Sequence, residues 1–259
     1  MSKYYFLVTL LPPLSFDETP EITFAELDEL LHENLSKHDY AKTAIIRRYY
    51  DLINLRALWL SDSFDLFGTL SADEIEEAAF IGHGLPRYVH DFLEQYDKNA
   101  DRLRHFPSLL AHFFRSNNLS DPFLKAYLKF EREVRLILTA FRAQKLQADL
   151  ILELQYENPE EEFIAQLLAQ KDAPEYEPPE EYRELKIIFS KYNGDPLHLQ
   201  RAIDEYRLEK IDSFASISDT FSIERILAYL IKLIVIEKWV TLNRQKGLQI
   251  IETIVKEGS

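Results

Sequence analysis

Two pairs of histidines have a spacing that would place both members on one helical face. His83 and His90 are seven residues apart, and so are His105 and His112. Seven residues are two helical turns, so each pair could direct two ring nitrogens at a metal ion. Metal sites usually have closer ligand spacing, and the chain contains no H-E-x-x-H arrangement. We therefore predict surface or half-buried histidines and no metal site.

Runs of glutamate offer a second kind of chemistry. Glu160–Glu162 and Glu180–Glu181 could supply the paired carboxylates that glycoside hydrolysis or metal binding requires. Both runs lie in residues 157–182, a segment with four prolines and one short apolar patch. Catalysis needs rigid support for its carboxylates, and such a composition indicates an acidic, partly flexible connector. We therefore predict a solvated loop there.

A third group of charges lies between residues 131 and 142: Glu131, Arg132, Glu133, Arg135 and Arg142. Opposite charges three and four residues apart stabilise a helix slightly, so these side chains could form a solvated face. They could equally form a polar surface that partner proteins use. The sequence leaves both interpretations open.

Other enzyme classes lack their signatures. The chain has no cysteine and only six glycines, and it contains neither a dinucleotide-binding nor a phosphate-binding glycine motif. A serine-hydrolase elbow, G-x-S-x-G, is also missing. We expect no catalytic residue and no cofactor.

The charge limits the partners. A formal net charge of −14 with a pI near 5.0 disfavours nucleic acid and anionic lipid, which need a concentrated positive surface. The most apolar run, 226–240, is interrupted by Lys232, Glu237 and Lys238 and is too short to span a bilayer. No secretory signal is evident. We expect a soluble, cytoplasmic protein that does not enter the membrane.

One long segment, residues 120–155, organises the predicted fold. Its apolar residues follow alternating steps of four and three, which is typical of one face of an α-helix; they are Phe123, Tyr127, Phe130, Val134, Ile137 and Phe141. Ser120 or Asp121 could cap this helix, and Pro122 suits its first turn. We predict one continuous helix of about 50 Å with its apolar face buried.

Most of the remaining chain has helical periodicity. Ser71 and Glu74 match a capping box, and the run 226–236 is apolar on nearly all sides, as in an enclosed helix that Gly247 would interrupt. The opening KYYFLVTLLPPL, in contrast, favours a short extended segment or, equally, an apolar tail that covers the helical core. The fold class is therefore all-α: an elongated helical bundle of two lobes, 1–118 and 119–259, with the connector 157–182 in the second.

Four stretches resemble a known family. YYDLINLRALWL (49–60) resembles the D-x-x-N-[LI]-[KR] helices of the C subunit of V/A-type rotary ATPases, the equivalent of the d subunit of the eukaryotic V-ATPase. EREVRLILTAFRAQKLQADL (131–150) looks like a second copy, with Arg135 where asparagine is usual. Residues 221–247 and the opening YYFLV…LPPL resemble shorter C-like proteins found among bacterial V-type ATPase genes.

This resemblance implies a role without catalysis. In the family, such a helical subunit sits between the membrane rotor ring and the central shaft of an ATPase or ATP synthase and transmits torque. It would imply a cytoplasmic location, peripheral to the membrane through these partners. A helical adaptor or regulator unrelated to the motor is the alternative, and a hydrolase based on histidines or carboxylates is a third reading. Copurification with ring or shaft subunits separates the first two.

Overall fold

The computed structural model describes residues 4–81, 84–116, 120–173 and 175–257. For residues 81, 116 and 244–257 it describes the backbone alone. Within these residues the chain is all-α, as predicted, and contains no strand. None of the described helices combines the length and apolar character needed to cross a membrane. The helices are α1 (Tyr5–Leu10), α2 (Phe24–Asn34), α3 (Lys37–Leu60), α4 (Ala72–Ile81), α5 (Arg87–Gln95), α6 (Asn99–Ser116), α7 (Pro122–Leu146), α8 (Leu150–Glu153), α9 (Glu162–Leu168), α10 (Arg183–Lys191), α11 (Pro196–Ser216) and α12 (Ile223–Glu257).

The chain divides into two compact units, residues 1–48 with 207–259 and residues 49–206. Neither boundary coincides with the predicted split near residue 118, because the beginning of the chain packs with its end.

In the first unit, Phe24 donates its backbone N–H to Glu237 on α12 at 2.6 Å. That bond explains the glutamate within the apolar run, and burial raises the pKa of Glu237. In the second unit, the core includes Leu52, Leu55, Ile75, Leu109, Leu124 and Ile137.

The N-terminal segment forms the helix α1, so the predicted extended segment is wrong. The Tyr4 backbone N–H donates to the carbonyl of Phe221 at 2.8 Å, and Leu7 is only 1% exposed. These contacts override a local preference of aromatic and β-branched residues for strands, which is a weak prior. The helix ends before Leu11, whose extended backbone suits a residue that precedes proline.

Helix α7 is the predicted central helix, but it is shorter than expected. Asp121 accepts a hydrogen bond from the Leu124 N–H, and the helix runs for 25 residues. All six residues of its apolar stripe are buried. The predicted continuity to residue 155 is wrong, because Gln147 adopts a left-handed conformation with φ 54°. The short helix α8 follows, and Ile151 is exposed.

The longest described helix is α12, with 35 residues. Its first part is enclosed as predicted, with buried residues on all sides between 226 and 236. The helix continues through Gly247, so the predicted interruption is wrong. A single glycine costs a helix only about 1 kcal/mol relative to alanine, which is too little to end a long one.

Candidate functional site

Asp51 lies in the middle of α3 and is buried, with only 3% of its surface exposed. Its carboxylate accepts hydrogen bonds from the Thr69 N–H at 2.7 Å, the Thr69 hydroxyl at 2.5 Å and the Leu70 N–H at 3.1 Å. A Cβ atom at Gly68 would lie 2.4 Å from the carboxylate, so only glycine allows this close approach. Asp51 therefore fixes the end of the loop that joins α3 to α4.

Asn54, one helical turn later, fixes the beginning of the same loop. Its amide donates to the carbonyl of Asp65 at 2.9 Å, and its side-chain oxygen accepts from the Asp65 N–H at 2.8 Å. Asn54 is 2% exposed. We call Asp51 and Asn54 the α3 anchor: two polar side chains, three residues apart, that bind the backbone of the segment after their helix.

Arg132 in α7 binds the segment after its own helix. Its guanidinium donates to Glu157 at 2.7 and 3.2 Å. It also forms a two-pronged pair with Glu161, with distances of 2.5 and 2.7 Å. Burial acts to lower the pKa of Arg132, but the hydrogen bonds to Glu161 and Glu157 outweigh it and raise the pKa.

Arg135 completes this arrangement from the next turn of α7. It donates to the second oxygen of Glu157 at 2.7 Å, and its guanidinium lies over the ring of Phe114 at 5.6 Å. Burial lowers the pKa of Arg135, and the attraction of Glu157, its one carboxylate partner in the described contacts, offsets this only in part. We call Arg132 and Arg135 the α7 anchor. Two guanidiniums face two carboxylates, so the cluster is electrically balanced.

The segment 157–182, whose composition predicts a partly flexible connector, is therefore held against α7 at several points. Glu157 is buried. Farther along, the Gln144 side chain at the end of α7 accepts from the Tyr176 N–H at 3.1 Å and donates to the carbonyl of Ala173 at 3.3 Å. Of the two glutamate runs, Glu160, Glu162, Glu180 and Glu181 remain exposed, as predicted, and only Glu161 is partly enclosed. Sequence composition missed the anchoring because the binding residues lie on α7.

The charged residues of α7 also turn out to have separate roles. Arg132 and Arg135 bind within the chain, while Glu133 is buried and accepts a hydrogen bond from the Tyr182 hydroxyl at 2.5 Å. Burial raises the pKa of Glu133. Arg142 is exposed. Neither prediction for this group holds as a whole: most of it is neither a solvated face nor a free surface for partners.

Both anchored helices end in the same way. The Asp62 N–H donates to the carbonyl of Ala57 at 2.9 Å, and the Ala148 N–H donates to that of Ala143 at 2.8 Å. These bonds close a turn in which Ser61 and Gln147 have φ values of 55° and 54°. Glycine usually occupies such a position. Among the described residues these are the two non-glycine positions with positive φ.

The histidine pairs do not come together on a ligand. His83 lies outside the described residues, and His90 contacts the carbonyl of Leu85 at 2.8 Å. His105 contacts the Tyr156 hydroxyl at 2.5 Å, whereas His112 contacts the carbonyl of Ser108 at 3.0 Å. In the part of the chain that the structure describes, no group of three or more His, Asp or Glu side chains is arranged to hold a metal ion.

The family comparisons match nearly the whole chain. A family model described as a protein of unknown function (DUF2764) matches residues 1–258. A relative from Chlamydia trachomatis serovar D is 28% identical over 266 residues, covering 99% of this chain and 98% of the relative. One from Chlamydia pneumoniae is 30% identical over 223 residues, covering 83% and 84%. A Chlamydia muridarum relative is 27% identical over 263 residues, covering 99% and 98%. All three are described as uncharacterized proteins, and no solved structure matches the chain.

Proposed function

We propose that this chain, which belongs to the DUF2764 family, is a non-catalytic spacer subunit of a bacterial V/A-type rotary ATPase. In this role it links the membrane rotor ring to the central shaft. The observation that carries the proposal is a structural repeat in the two segments that resemble the C subunit. Residues 49–60 lie in α3, and most of 131–150 lies in α7.

The two segments share more than their sequence likeness. Asp51 and Asn54 are three residues apart, as are Arg132 and Arg135, and both pairs bind the segment that follows their own helix. Both helices end in a left-handed residue that closes the same kind of turn. This supports the reading of 131–150 as a second copy, although its polar pair has the opposite charge.

The same features suit a protein that carries mechanical load. Force passes through a spacer only if the loops between its helices do not yield. Here α3 and α7, of 24 and 25 residues, each hold the following segment by charged or bidentate hydrogen bonds. A hydrogen bond to a charged group contributes about 1.5–3 kcal/mol to stability, compared with about 0.5–1.5 kcal/mol for a typical neutral one. The polar residues of the motif thus have a structural role: they hold the segment that follows each helix.

The charge of the chain bears on how it would bind. With a net charge of −14, it is attracted to basic loops on its partners. Screening shortens the range of this attraction from about 10 Å at 0.1 M salt to about 3 Å at 1 M. We therefore expect its association with the ring or shaft to weaken as salt is added.

The test is capture of the tagged chain from detergent-solubilised membranes of the bacterium that encodes it. Ring and shaft subunits are quantified by mass spectrometry at about 0.1 M and about 1 M salt. We expect enrichment at the lower concentration and loss at the higher one. Binding that does not change with salt would contradict the electrostatic account. Enrichment of neither component at either salt would refute the rotary assignment and favour an adaptor unrelated to the motor.

A second measurement separates the spacer from an enzyme. We expect calorimetric titration of the purified chain with ATP to give no binding heat, because the sequence has no glycine-rich phosphate loop. A micromolar affinity would contradict a spacer role and support an enzyme.

A further inference from the structure

Helix α4 has one face that packs against the protein and one that does not. Ile75 and Ala78 are buried, at 0% and 2% exposure. On the other side, Phe80 is 90% exposed, the most exposed of the large apolar side chains in the described residues. Glu76 and Glu77 are also exposed, and they precede Phe80 by four and three residues. On a helix, side chains at these spacings are neighbours. Phe80 therefore stands beside two carboxylates.

This face is held firmly in place from its N-terminal side. Ser71 and Glu74 form the predicted capping box, with the Ser71 N–H donating to Glu74 at 2.8 Å and the Glu74 N–H donating to Ser71 at 3.3 Å. Immediately before the helix, Asp51 binds the backbone of Thr69 and Leu70. The orientation of α4 is thus fixed by the α3 anchor, and the exposure of Phe80 does not reflect a loosely attached helix.

The charged side chains along the sequence around α4, histidine apart, have a single sign. Between Arg56 and Arg87 the sequence contains six acidic residues and no lysine or arginine; the acidic residues are Asp62, Asp65, Asp73, Glu74, Glu76 and Glu77. The loop before α4 adds another apolar side chain, Leu66, which is 85% exposed. Carboxylates of one sign beside an exposed aromatic side chain complement a partner that carries positive charges next to an apolar side chain.

We propose that the exposed face of α4 binds a basic amphipathic helix of a partner protein. Apolar side chains of the partner would cover Phe80, and its lysines or arginines would pair with Glu76 and Glu77. This recognition mode uses one apolar stripe and flanking charges. The inference deepens the proposed function and rests on it for the identity of the partner, which would be a ring or shaft subunit.

Charge complementarity selects this occupant over others. Nucleic acid and anionic membranes carry phosphates, which the carboxylates of Glu76 and Glu77 repel. A second copy of the chain would bring two acidic faces together, and like charges in contact oppose association. A basic amphipathic helix complements both the carboxylates of Glu76 and Glu77 and the exposed side chain of Phe80.

The probe is a fluorescent synthetic peptide of roughly five helical turns, with leucines on one face and lysines beside them. Its binding to the full chain is measured by anisotropy at about 0.1 M salt. We expect Phe80→Ser to weaken binding about tenfold, and the double variant Glu76→Lys, Glu77→Lys to weaken it at least as much. The matched controls are Ile217→Ser, at an apolar residue that is 87% exposed, and the double variant Glu29→Lys, Glu209→Lys at exposed glutamates. These should change binding less than twofold.

Each outcome decides for or against the proposal. Equal losses in the α4 variants and the controls would indicate general attraction to an acidic protein and would overturn it, as would the absence of binding by the parent chain. Concentration-dependent dimerisation that Phe80→Ser abolishes would identify a second copy as the occupant and also overturn it.

The membrane capture experiment distinguishes the two proposals. If Phe80→Ser still captures ring and shaft subunits, the spacer role stands and the α4 surface is wrong. If the parent chain binds the peptide but captures neither subunit, the surface stands and the spacer role fails.

Discussion

The two anchors solve one structural problem with opposite charges. In α3, a carboxylate and an amide bind backbone groups of residues 65–70. In α7, two guanidiniums bind the carboxylates of Glu157 and Glu161. The shared requirement is therefore a pair of polar side chains one turn apart that faces the next segment. Their charge is free to differ as long as the segment supplies matching groups.

The difference between the anchors has an energetic consequence. The α3 anchor places the charged carboxylate of Asp51 among neutral donors. If the carboxylate is removed, some of these donors can form hydrogen bonds with water instead. The α7 anchor places two largely enclosed guanidiniums against the buried carboxylate of Glu157. Removing one member of a buried ion pair leaves an uncompensated charge, which is more costly than losing neutral hydrogen bonds. The α7 anchor should therefore be the more sensitive one.

The largest effect is expected for Glu157→Ala. This change leaves both Arg132 and Arg135 without the carboxylate that they share. We expect a loss of about 3–5 kcal/mol in the free energy of unfolding, the range found when one partner of a buried ion pair is removed. Urea unfolding followed by circular dichroism measures it. The control is Glu160→Ala, an exposed neighbour, which should stay within about 0.5 kcal/mol of the parent. A loss below 1 kcal/mol for Glu157→Ala would refute the anchoring role.

A smaller effect is expected for Asp51→Ala. The substitution removes an acceptor from the Thr69 and Leu70 N–H groups and from the Thr69 hydroxyl. Because Thr69 is exposed, water can replace part of what is lost, and we expect about 2–3 kcal/mol. Hydrogen exchange should accelerate at the amides of residues 69 and 70. The exposed Glu76→Ala serves as the control. Unchanged protection at these amides would show that the loop is held by other contacts.

The sequence predicts local features of this fold well. The apolar stripe of α7 from Phe123 to Phe141, the capping box at Ser71 and the enclosed part of α12 all follow from periodicity or from contacts within one helical turn. Each of these depends on residues close together in the chain, for which spacing is a direct physical signal. The all-α class follows from the same patterns.

Features that depend on distant contacts are not predictable in this way. Helix α1 forms next to Phe221, and the segment after α7 is held by Arg132 across 25 and 29 residues. The charge pattern of 157–182 alone suggests solvation, because nothing in it shows that a guanidinium is near. The end of α7 at Gln147 was missed because a left-handed residue there is usually glycine. For the α3 anchor a signal did exist: Asp51 and Asn54 are polar residues placed among the apolar residues of 49–60.

A third prediction uses pH to separate the partners of Arg132. The hydrogen bonds from Arg132 hold the pKa of Glu161 below its ordinary value of 4.5. A lowered pKa means that this pair stabilises the folded state above about pH 4.5 and that the benefit is lost as the pH falls through the folded-state pKa. Glu161→Gln should therefore cost about 0.5–1 kcal/mol at neutral pH, since its side chain is 37% exposed and partly screened. The cost should shrink in acid. An equal cost at pH 7 and at about pH 3 would contradict this account.

The smallest expected effect concerns Glu133, which lies next to Arg132 in sequence but does not belong to the α7 anchor. Its carboxylate accepts from the Tyr182 hydroxyl, and Lys129 approaches it only to 3.7 Å from a side chain that is 69% exposed. Burial raises the pKa of Glu133, so the charged form is the unfavourable one in the folded state. Stability linked to this group is complete below the ordinary pKa of 4.5 and is lost as the pH rises through the folded-state value, the reverse of the trend for Glu161.

Glu133→Gln keeps an oxygen for the Tyr182 hydroxyl and removes the buried charge. At pH 7 we expect the variant to be as stable as the parent or more stable, by less than about 1 kcal/mol. Its advantage should grow as the pH rises above the ordinary value of 4.5 and through the raised pKa of the parent carboxyl. Parallel urea titrations across this range measure the difference, with Glu160→Gln, at the exposed neighbour, as the control for the loss of one surface charge. A variant that is destabilised by more than about 1 kcal/mol at pH 7 would show that the Glu133 charge contributes to the anchor. The functional pair of α7 would then be a triad, and the parallel with the two residues of α3 would fail.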